Sequence, residues 1–294
     1  MLSPEKPSVE SAKKMRTMLF LPPHPQRIAE GGLRKKGLFK HPNNEKSLIS
    51  VITVVFNGEK YIEQAIQSII NQSYKNLEYI IIDGGSTDST IEILQKYDDQ
   101  IDYWISEPDL GIYDAMNKGT LLALGSHTLH INADDILFSH NSLEIDYKTN
   151  LNYTSNILIY FEKEQIFYKS LTKHPTTNLY INMIDIPVGH QGFIGIKNSR
   201  SIFQLDYKVI SDRCVICNKL KSESYKIIPN FLTIQRHGGL ASDNNFKIIE
   251  EIKRACRNHM SLGVFFRIFR LEIYSYIREF AKVLGLIEIK RKYF

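Results

Sequence analysis

Cysteine is scarce and odd in number, three among 294 residues, so there is no disulfide framework and the chain fits a reducing compartment. Two of the three, Cys214 and Cys217, form an isolated Cys-x-x-Cys with no second pair and no thioredoxin-like strand before it. One helical turn separates them, and they read as helix neighbours in preference to a zinc or redox centre. Long hydrophobic runs are also missing. Met18-Leu-Phe-Leu-Pro-Pro23 is too short for a membrane span or a signal core, and no small-residue cleavage site follows the charged stretch before it. The chain is therefore expected to be cytoplasmic, with any membrane contact peripheral. An excess of one charge is lacking too: 37 Lys and Arg against 32 Asp and Glu leave +5, which gives no ground to expect nucleic acid. No internal repeat or low-complexity tract is present.

What is present suffices for a large α/β core, with hydrophobic residues at 43%. Residues 1–48 are polar and basic, punctuated by Pro22-Pro23, Pro25 and Gly31-Gly32, and read as an extended arm. From Ile49 the pattern changes. Ile49 to Phe56 is β-branched and apolar, and Tyr61, Ile62, Ala65, Ile66, Ile69 and Ile70 then recur at helical spacing. Strands follow at Leu77–Ile82, Tyr103–Ser106 and Thr128–Ile131, with helices between them near 88–97 and 112–124. Strands alternating with helices at this spacing predict βαβ units and a mostly parallel sheet. Beyond Asp135 the sequence predicts a hairpin over 156–170, loop over 175–189, a strand over 192–196, a helix over 211–221, and helices from Phe246 onward.

Two apolar runs stop abruptly at carboxylates, the first at Asp83 and the second at Asp134-Asp135. This places acidic groups at the carboxyl edge of the sheet, where open α/β sheets bind their ligands. Adjacent aspartates there repel unless a cation sits between them, and a dication carrying a diphosphate fits.

Taken together, Val51-Ile-Thr-Val-Val-Phe-Asn57, Asp83-Gly-Gly-Ser-Thr-Asp88, Gly111-Ile-Tyr-Asp-Ala-Met-Asn-Lys-Gly119 and Asn132-Ala-Asp-Asp135 resemble the family 2 glycosyltransferases of GT-A fold, in order and spacing, over roughly 49–240. The non-processive bacterial enzymes of surface-polysaccharide assembly (O-antigen or capsule) look most similar, because the Gln-x-x-Arg-Trp signature and membrane spans of processive polymerases are missing. Gly31-Gly32-Leu-Arg34 also looks like a leader that some of these enzymes carry. The resemblance implies three regions: a basic arm at 1–48, a GT-A domain at 49–240 with a Rossmann-like central sheet, and a helical extension at 241–294.

It also implies roles. Asp83 would accept a hydrogen bond from the base of a nucleotide-sugar and Phe56 would lie against the base plane. Asp88, Gly111 and Asn117 would border the donor, as would His190-Gln191. Asp134 would hold the ribose or donor sugar. Asp135 would ligate Mg²⁺ or Mn²⁺, with His237 a further metal or diphosphate ligand. Asp212 would take the proton from the acceptor hydroxyl as that oxygen attacks with inversion. No redox or covalent cofactor is implied. The acceptor would be a glycan, in this class often lipid-linked, and the sugar a hexose or N-acetylhexosamine.

The residues themselves leave alternatives open. Asp88 reads equally as a helix N-cap, Gly84 and Gly85 as turn residues, Asp109 and Asp114 as solvated groups, and His237 as a surface histidine. Cys214 stands where a second carboxylate is usual, which is the one feature favouring a catalytically degenerate binding subunit. A sugar nucleotidyltransferase would carry a Gly-rich, basic loop after the first strand, and Val55-Phe56-Asn57-Gly58-Glu59 is not one. In the tail, Lys253, Arg254, Arg257, Arg267, Arg270, Arg278 and Lys290-Arg291-Lys292 accompany Val264-Phe265-Phe266 and Phe269. They fit a solvated face, a dimer contact, or a helix lying on anionic lipid.

Overall fold

The computed structural model describes residues 2–3, 6, 17–41, 46–176, 178–185, 188–237, 245–257 and 261–283. Gly238-Gly239, Lys290-Arg291-Lys292 and the side chain of Arg278 lie outside what is described. The chain opens with three short strands, β1 (Leu2–Ser3), β2 (Ala29–Gly31) and β3 (Phe39–Lys40). Strands β4 (Ile49–Val55), β5 (Leu77–Asp83), β6 (Tyr103–Ser106) and β7 (His127–Asn132) follow, linked by helices α1 (Ile62–Ile70), α2 (Thr90–Lys96) and α3 (Ile112–Leu122). These four strands run parallel in the order β6-β5-β4-β7.

Every residue of β4 is buried, because the strand is covered on both faces and its side chains alternate between them. Ile49, Val51 and Val55 pack in the layer that holds Ile62, Ile66 and Ile69 of α1 and Leu94 of α2. Ile52 and Val54 point the other way, into the layer that holds Ala115, Met116 and Leu122 of α3. Tyr79 and Ile81 of β5 join the first layer, and Ile80 and Ile82 the second. The doubly covered sheet forces all four strands to end at one edge, and the polar residues that follow them gather there.

Antiparallel strands extend both flanks. The second half supplies β8 (Ile136–Leu137), β9 (Asn152–Phe161), β10 (Ile166–Ser170), α4 (Leu179–Asp185), β11 (Phe193–Ile196), α5 (Ser211–Ser222), β12 (Tyr225–Arg236), α6 (Asn245–Cys256) and α7 (Leu262–Val283). The large sheet reads β2-β6-β5-β4-β7-β11-β9-β12-β8, with β10 paired to β9. Two elements differ from expectation. The segment 175–189 contains helix α4, whose Met183 and Ile184 are buried in a helical layer with Ile210 and Cys214 beside α5, Ile252 of α6 and Ile268 of α7. The twelve-residue β12 runs parallel to β9 and carries Pro229 within it, tolerated because the register shifts between Ile228 and Phe231.

From residue 17 to 41 the basic segment is part of the folded body, contrary to the expectation of an extended arm. Strand β2 pairs antiparallel with β6. Gly31 lies so close to Trp104 that a Cβ there would sit 2.5 Å from the indole nitrogen, and Gly32 has φ +94, so neither position suits a side chain. Arg34 is 2% exposed. Its guanidinium donates to Glu78 Oε1, to the Leu122 carbonyl at 2.9 Å and to the Leu19 carbonyl at 3.0 Å. The other Glu78 oxygen accepts from Ser50 Oγ and the Leu124 N–H. Such a pair adds little net stability, but removing one partner strands a buried charge at about 3–5 kcal/mol.

Candidate active site

The carboxyl edge of β4 and β5 forms a slot. Phe56, the residue after β4, is 64% exposed although it follows seven buried residues. Gly84 lies between it and Asp109: a Cβ at Gly84 would sit 3.5 Å from the Phe56 ring and 2.6 Å from Asp109 Oδ2. Gly84 thus leaves the space beside the Phe56 ring free of a side chain, next to a carboxyl group whose pKa is raised, chiefly by burial. Gly111 borders the same loop as the N-cap of α3, with its N–H donating to Asp109 Oδ1 at 2.7 Å.

Asp83 lies beneath the slot and is fully buried. Its Oδ2 accepts from the N–H groups of Gly85 and Ser86 at 3.1 and 2.9 Å and from Ser106 Oγ at 2.6 Å, while Oδ1 accepts from Ser86 Oγ. In this arrangement the carboxylate shapes the Gly84–Ser86 turn and ties it to Ser106 of β6. Asp88 is likewise engaged locally. It accepts from Thr90 N and Oγ1 at 3.1 and 2.6 Å and from the Glu59 N–H at 3.0 Å, one residue before Ser89, which is the N-cap of α2 in place of Asp88. Burial works against its charge, but these hydrogen bonds prevail and hold its pKa low. Asn117 does not border the site. Its side-chain amide clamps the backbone of Phe203, donating to the carbonyl at 2.8 Å and accepting from the N–H at 2.7 Å, which ties α3 to the loop before α5.

The end of the neighbouring β7 carries the acidic cluster, with Val54 of β4 beside Asn132 in register. Asp135 is 1% exposed and accepts from Gln191 Nε2 and from the Arg236 N–H, each at 3.0 Å. Burial first, and then the charge of Asp134, push its pKa upward; burial does the same to Asp134. Arg236, the last residue of β12, donates to the Asp134 carbonyl at 3.0 Å and to Gln64 Oε1 at 2.6 Å, and its guanidinium lies 4.5 Å from the Tyr61 ring centroid. Its Nε is buried without an acceptor.

These residues fit a divalent cation of limited kind. Two crowded, desolvated carboxylates are offset only in part by the charges of Arg236 and His190, and the Arg236 Nε–H without an acceptor invites an anion. Among the described residues no group of three or more His, Cys, Asp or Glu is placed to hold a metal, so a dication here would need substrate phosphates and water to complete its shell, as Mg²⁺ commonly does. His237 follows Arg236, whose N–H Asp135 accepts, and is not part of a group of three or more such ligands among the described residues. Its ring stacks on Phe161 with centroids 4.2 Å apart, because β12 carries it along β9 towards the hairpin.

Asp212 sits in the first turn of α5, where the helix dipole favours a carboxylate. Its Oδ2 is 3.0 Å from His190 Nδ1 and its Oδ1 accepts from Tyr113 OH at 3.0 Å. Burial opposes its ionisation, but the hydrogen bond and charge of His190, with Arg213, hold the pKa low. Burial together with the Asp212 charge raises that of the Tyr113 phenol. Cys214, two positions on, faces the helical layer with Cys217 and Cys256, and burial pushes the thiols of Cys214 and Cys217 to about 12. The missing second carboxylate is thus a packing position of α5.

The structure therefore brings Asp134, Asp135, Gln191, His190 and Asp212 to one strand edge, beside the slot of Phe56. Sequence reasoning passed over Tyr113, Asn132, Arg236 and Glu251, whose carboxylate accepts the N–H groups of Lys208, Val209 and Ile210 just before α5. The first three stand inside or next to motifs, and that adjacency was the available signal; Glu251, remote on α6, offered none.

Residues 50–145 match the model of glycosyl transferase family 2. The putative teichuronic acid biosynthesis glycosyltransferase TuaG of Bacillus subtilis is 39% identical over 95 residues, 31% of this chain and 38% of that protein. The chain spans less than half the length of the curated relatives it matches. Among solved structures, S. aureus TarS 1-349 in complex with UDP-GlcNAc has a TM-score of 0.56 at 17% identity, covering 83% of this chain and 76% of that one. The mannosyltransferase PcManGT of Pyrobaculum calidifontis, in complex with GDP-Man and Mn2+, has 0.53 at 16%, covering 80% and 71%. The fold is that of the GT-A glycosyltransferases.

Proposed function

We propose that this chain transfers a hexose or N-acetylhexosamine from a nucleotide-sugar to a growing glycan in surface-polysaccharide assembly, with inversion at the anomeric carbon. The observation that carries the reading is the Asp134–Asp135 pair. Two desolvated carboxylates beside an unpartnered guanidinium N–H, at the carboxyl edge of a parallel sheet, are destabilising without a ligand and suit a metal-bound diphosphate. The TarS complex with UDP-GlcNAc and the PcManGT complex with GDP-Man and Mn2+ support a nucleotide-sugar on this fold, and the name of TuaG supports the polysaccharide class.

On this reading Phe56 stacks on the base, the space beside its ring at Gly84 admits the base plane, and Asp83 keeps the Gly84–Ser86 turn in shape. Asp134 and Asp135 hold Mg²⁺ or Mn²⁺, which when bound supplies the charge that stabilises the departing diphosphate. Arg236 offers its Nε–H to an anionic oxygen, and the Asp212 side of the site receives the acceptor proton. Residues 49–240 act as the transferase domain, with the basic segment before it and the helical extension after.

The extension favours a lipid-linked acceptor at the inner face of a membrane. Among the described residues no helix is long and apolar enough to cross one, but Phe265, Phe266, Phe269, Ile273 and Tyr276 of α7 are 44–65% exposed, which suits a helix lying on a lipid surface.

The test is turnover. The protein is incubated with UDP-GlcNAc, UDP-glucose, UDP-galactose or GDP-mannose, with and without Mn²⁺, and nucleoside diphosphate release is followed, first to water and then with membrane lipid extract as acceptor. Metal-dependent release from one nucleotide class supports the reading. No release from any donor in either setting counts against it and favours a subunit that binds without turnover.

A further inference from the structure

We propose that His190 is the group that takes the acceptor proton, and that Asp212 acts through it as a positioning residue. This rests on the transferase reading and changes which atom does the chemistry. Both oxygens of Asp212 are already engaged, one by Tyr113 OH at 3.0 Å and the other by His190 Nδ1 at 3.0 Å. Each oxygen keeps a further lone pair, but the His190 bond and charge stabilise the ionised form and hold its pKa low, so Asp212 is a weak acceptor of a proton from an incoming hydroxyl. It is well placed to fix a ring: with Nδ1–H donated to Asp212, the imidazole is set in the tautomer whose Nε2 carries the lone pair.

That Nε2 lies 3.4 Å from Asn132 Oδ1, at the end of β7 two residues before Asp134. In the tautomer with Nδ1–H given to Asp212, this 3.4 Å approach of two acceptors is no hydrogen bond and Nε2 keeps its lone pair. Once protonated it finds in Asn132 Oδ1 a ready acceptor, and Asp212 holds the other side of the imidazolium. The remaining charged neighbours agree. Asp134 and Asp135 lie on the donor side, Arg213 helps keep Asp212 ionised, and His130 is buried, its pKa lowered to about 3 mainly by burial, so it does not compete for the proton.

In the transfer step the acceptor O–H bond breaks and its proton passes to His190 Nε2. The same oxygen bonds the anomeric carbon, and the bond from that carbon to the diphosphate breaks, its electron pair leaving with the nucleoside diphosphate. Water in place of the acceptor follows the same course, which gives a probe that does not require the natural acceptor.

The experiment measures nucleoside diphosphate release from whichever of UDP-GlcNAc and GDP-mannose the wild type turns over. Variants are His190→Ala, His190→Gln, Asp212→Asn and the double His190→Ala/Asp212→Asn. Nucleotide-dependent thermal stabilisation checks that each is folded and binds. Expected is a kcat loss of about 10²-fold or more in both His190 variants, the range for removing a general base. The donor KM stays within a few-fold, added imidazole raises the rate of His190→Ala but not of Asp212→Asn, and the double variant is no slower than the slower single. A folded His190→Ala with near wild-type kcat beside an inactive Asp212→Asn would overturn the proposal and return the proton to Asp212. So would a loss confined to donor KM. Absence of turnover in the wild type itself would instead count against the transferase reading.

Discussion

At the residue scale, the site separates the carboxylates proposed to act on a ligand from carboxylates that hold the chain. The sequence shows Asp83, Asp88, Asp134, Asp135 and Asp212 alike as acids after strands or in turns. Only the donors around each reveal that Asp83 and Asp88 are taken up by the turns and neighbouring strand ends, while Asp134 and Asp135 are crowded and desolvated with their charge only partly offset. Asn117 misled for the same reason, since its motif position says nothing of the Phe203 backbone it clamps. Phe56 was legible because an aromatic after a buried strand has little structural reason to be there. Its ring is 64% exposed, so Phe56→Ala should leave thermal stability nearly unchanged while weakening UDP or GDP binding by roughly 1–3 kcal/mol, the worth of one stacked base, as read by calorimetric titration.

Asp102 gives a second residue-scale prediction. It is 4% exposed, its Oδ1 has no partner, and Oδ2 accepts from the Tyr79 N–H at 2.8 Å. Burial raises its pKa from 3.8 to about 7. A carboxyl with a higher pKa folded than unfolded binds protons better in the folded state, so its contribution is full below the unfolded value and is lost as pH rises through about 7. The loss is at most on the order of 4 kcal/mol, from roughly three pH units at about 1.4 kcal/mol each. Asp102 should therefore pull the melting temperature down between about pH 4 and 7, and Asp102→Asn, which keeps an acceptor for Tyr79, should remove that downward contribution from the profile.

At the element scale, continuous apolar runs were the easiest features to read, because a strand covered on both faces admits no polar alternation. Elements decided by their surroundings were not legible. Helix α4 is seven residues long and exists because three other helices cover its apolar side. Strand β12 is concealed by Pro229, and β2 by a Gly pair that reads as loop until Trp104 is placed against it. Helix α6 has a role that no motif announces. Glu251 on it accepts the N–H groups of Lys208, Val209 and Ile210 at 2.8, 3.0 and 3.2 Å, fixing the entrance to α5 and hence Asp212 just beyond. Glu251→Ala leaves these N–H groups without their acceptor and should destabilise the fold by about 1–3 kcal/mol. It should lower kcat more than it changes donor KM, measured by denaturant titration and steady-state kinetics on one preparation.

At the scale of the whole molecule, the parallel half carries the donor features and the helical layer faces away with an apolar strip on α7. Its basic residues are less free than their spacing suggests. Arg267 and Arg270 pair with Asp185 at 2.8 and 3.3 Å, Lys253 pairs with Glu272, and Arg254 lies over Tyr207. Lipid binding would therefore depend more on Phe265, Phe266 and Phe269 than on charge. The protein should sediment with anionic liposomes, Phe265→Ser/Phe269→Ser should abolish this, and raising the salt should weaken it only in part. Failure to sediment even at low salt would remove the membrane contact from the account.

The central claim is that Asp134 and Asp135 hold a metal-bound nucleotide, and the direct test is calorimetric titration of the purified protein with UDP and with GDP, with Mn²⁺ or with chelator. The account predicts that one of the two binds, that binding weakens sharply without the metal, and that Asp135→Ala loses the metal-dependent part while Phe56→Ala loses the rest. Equal binding with and without Mn²⁺, unchanged in Asp135→Ala, would contradict it.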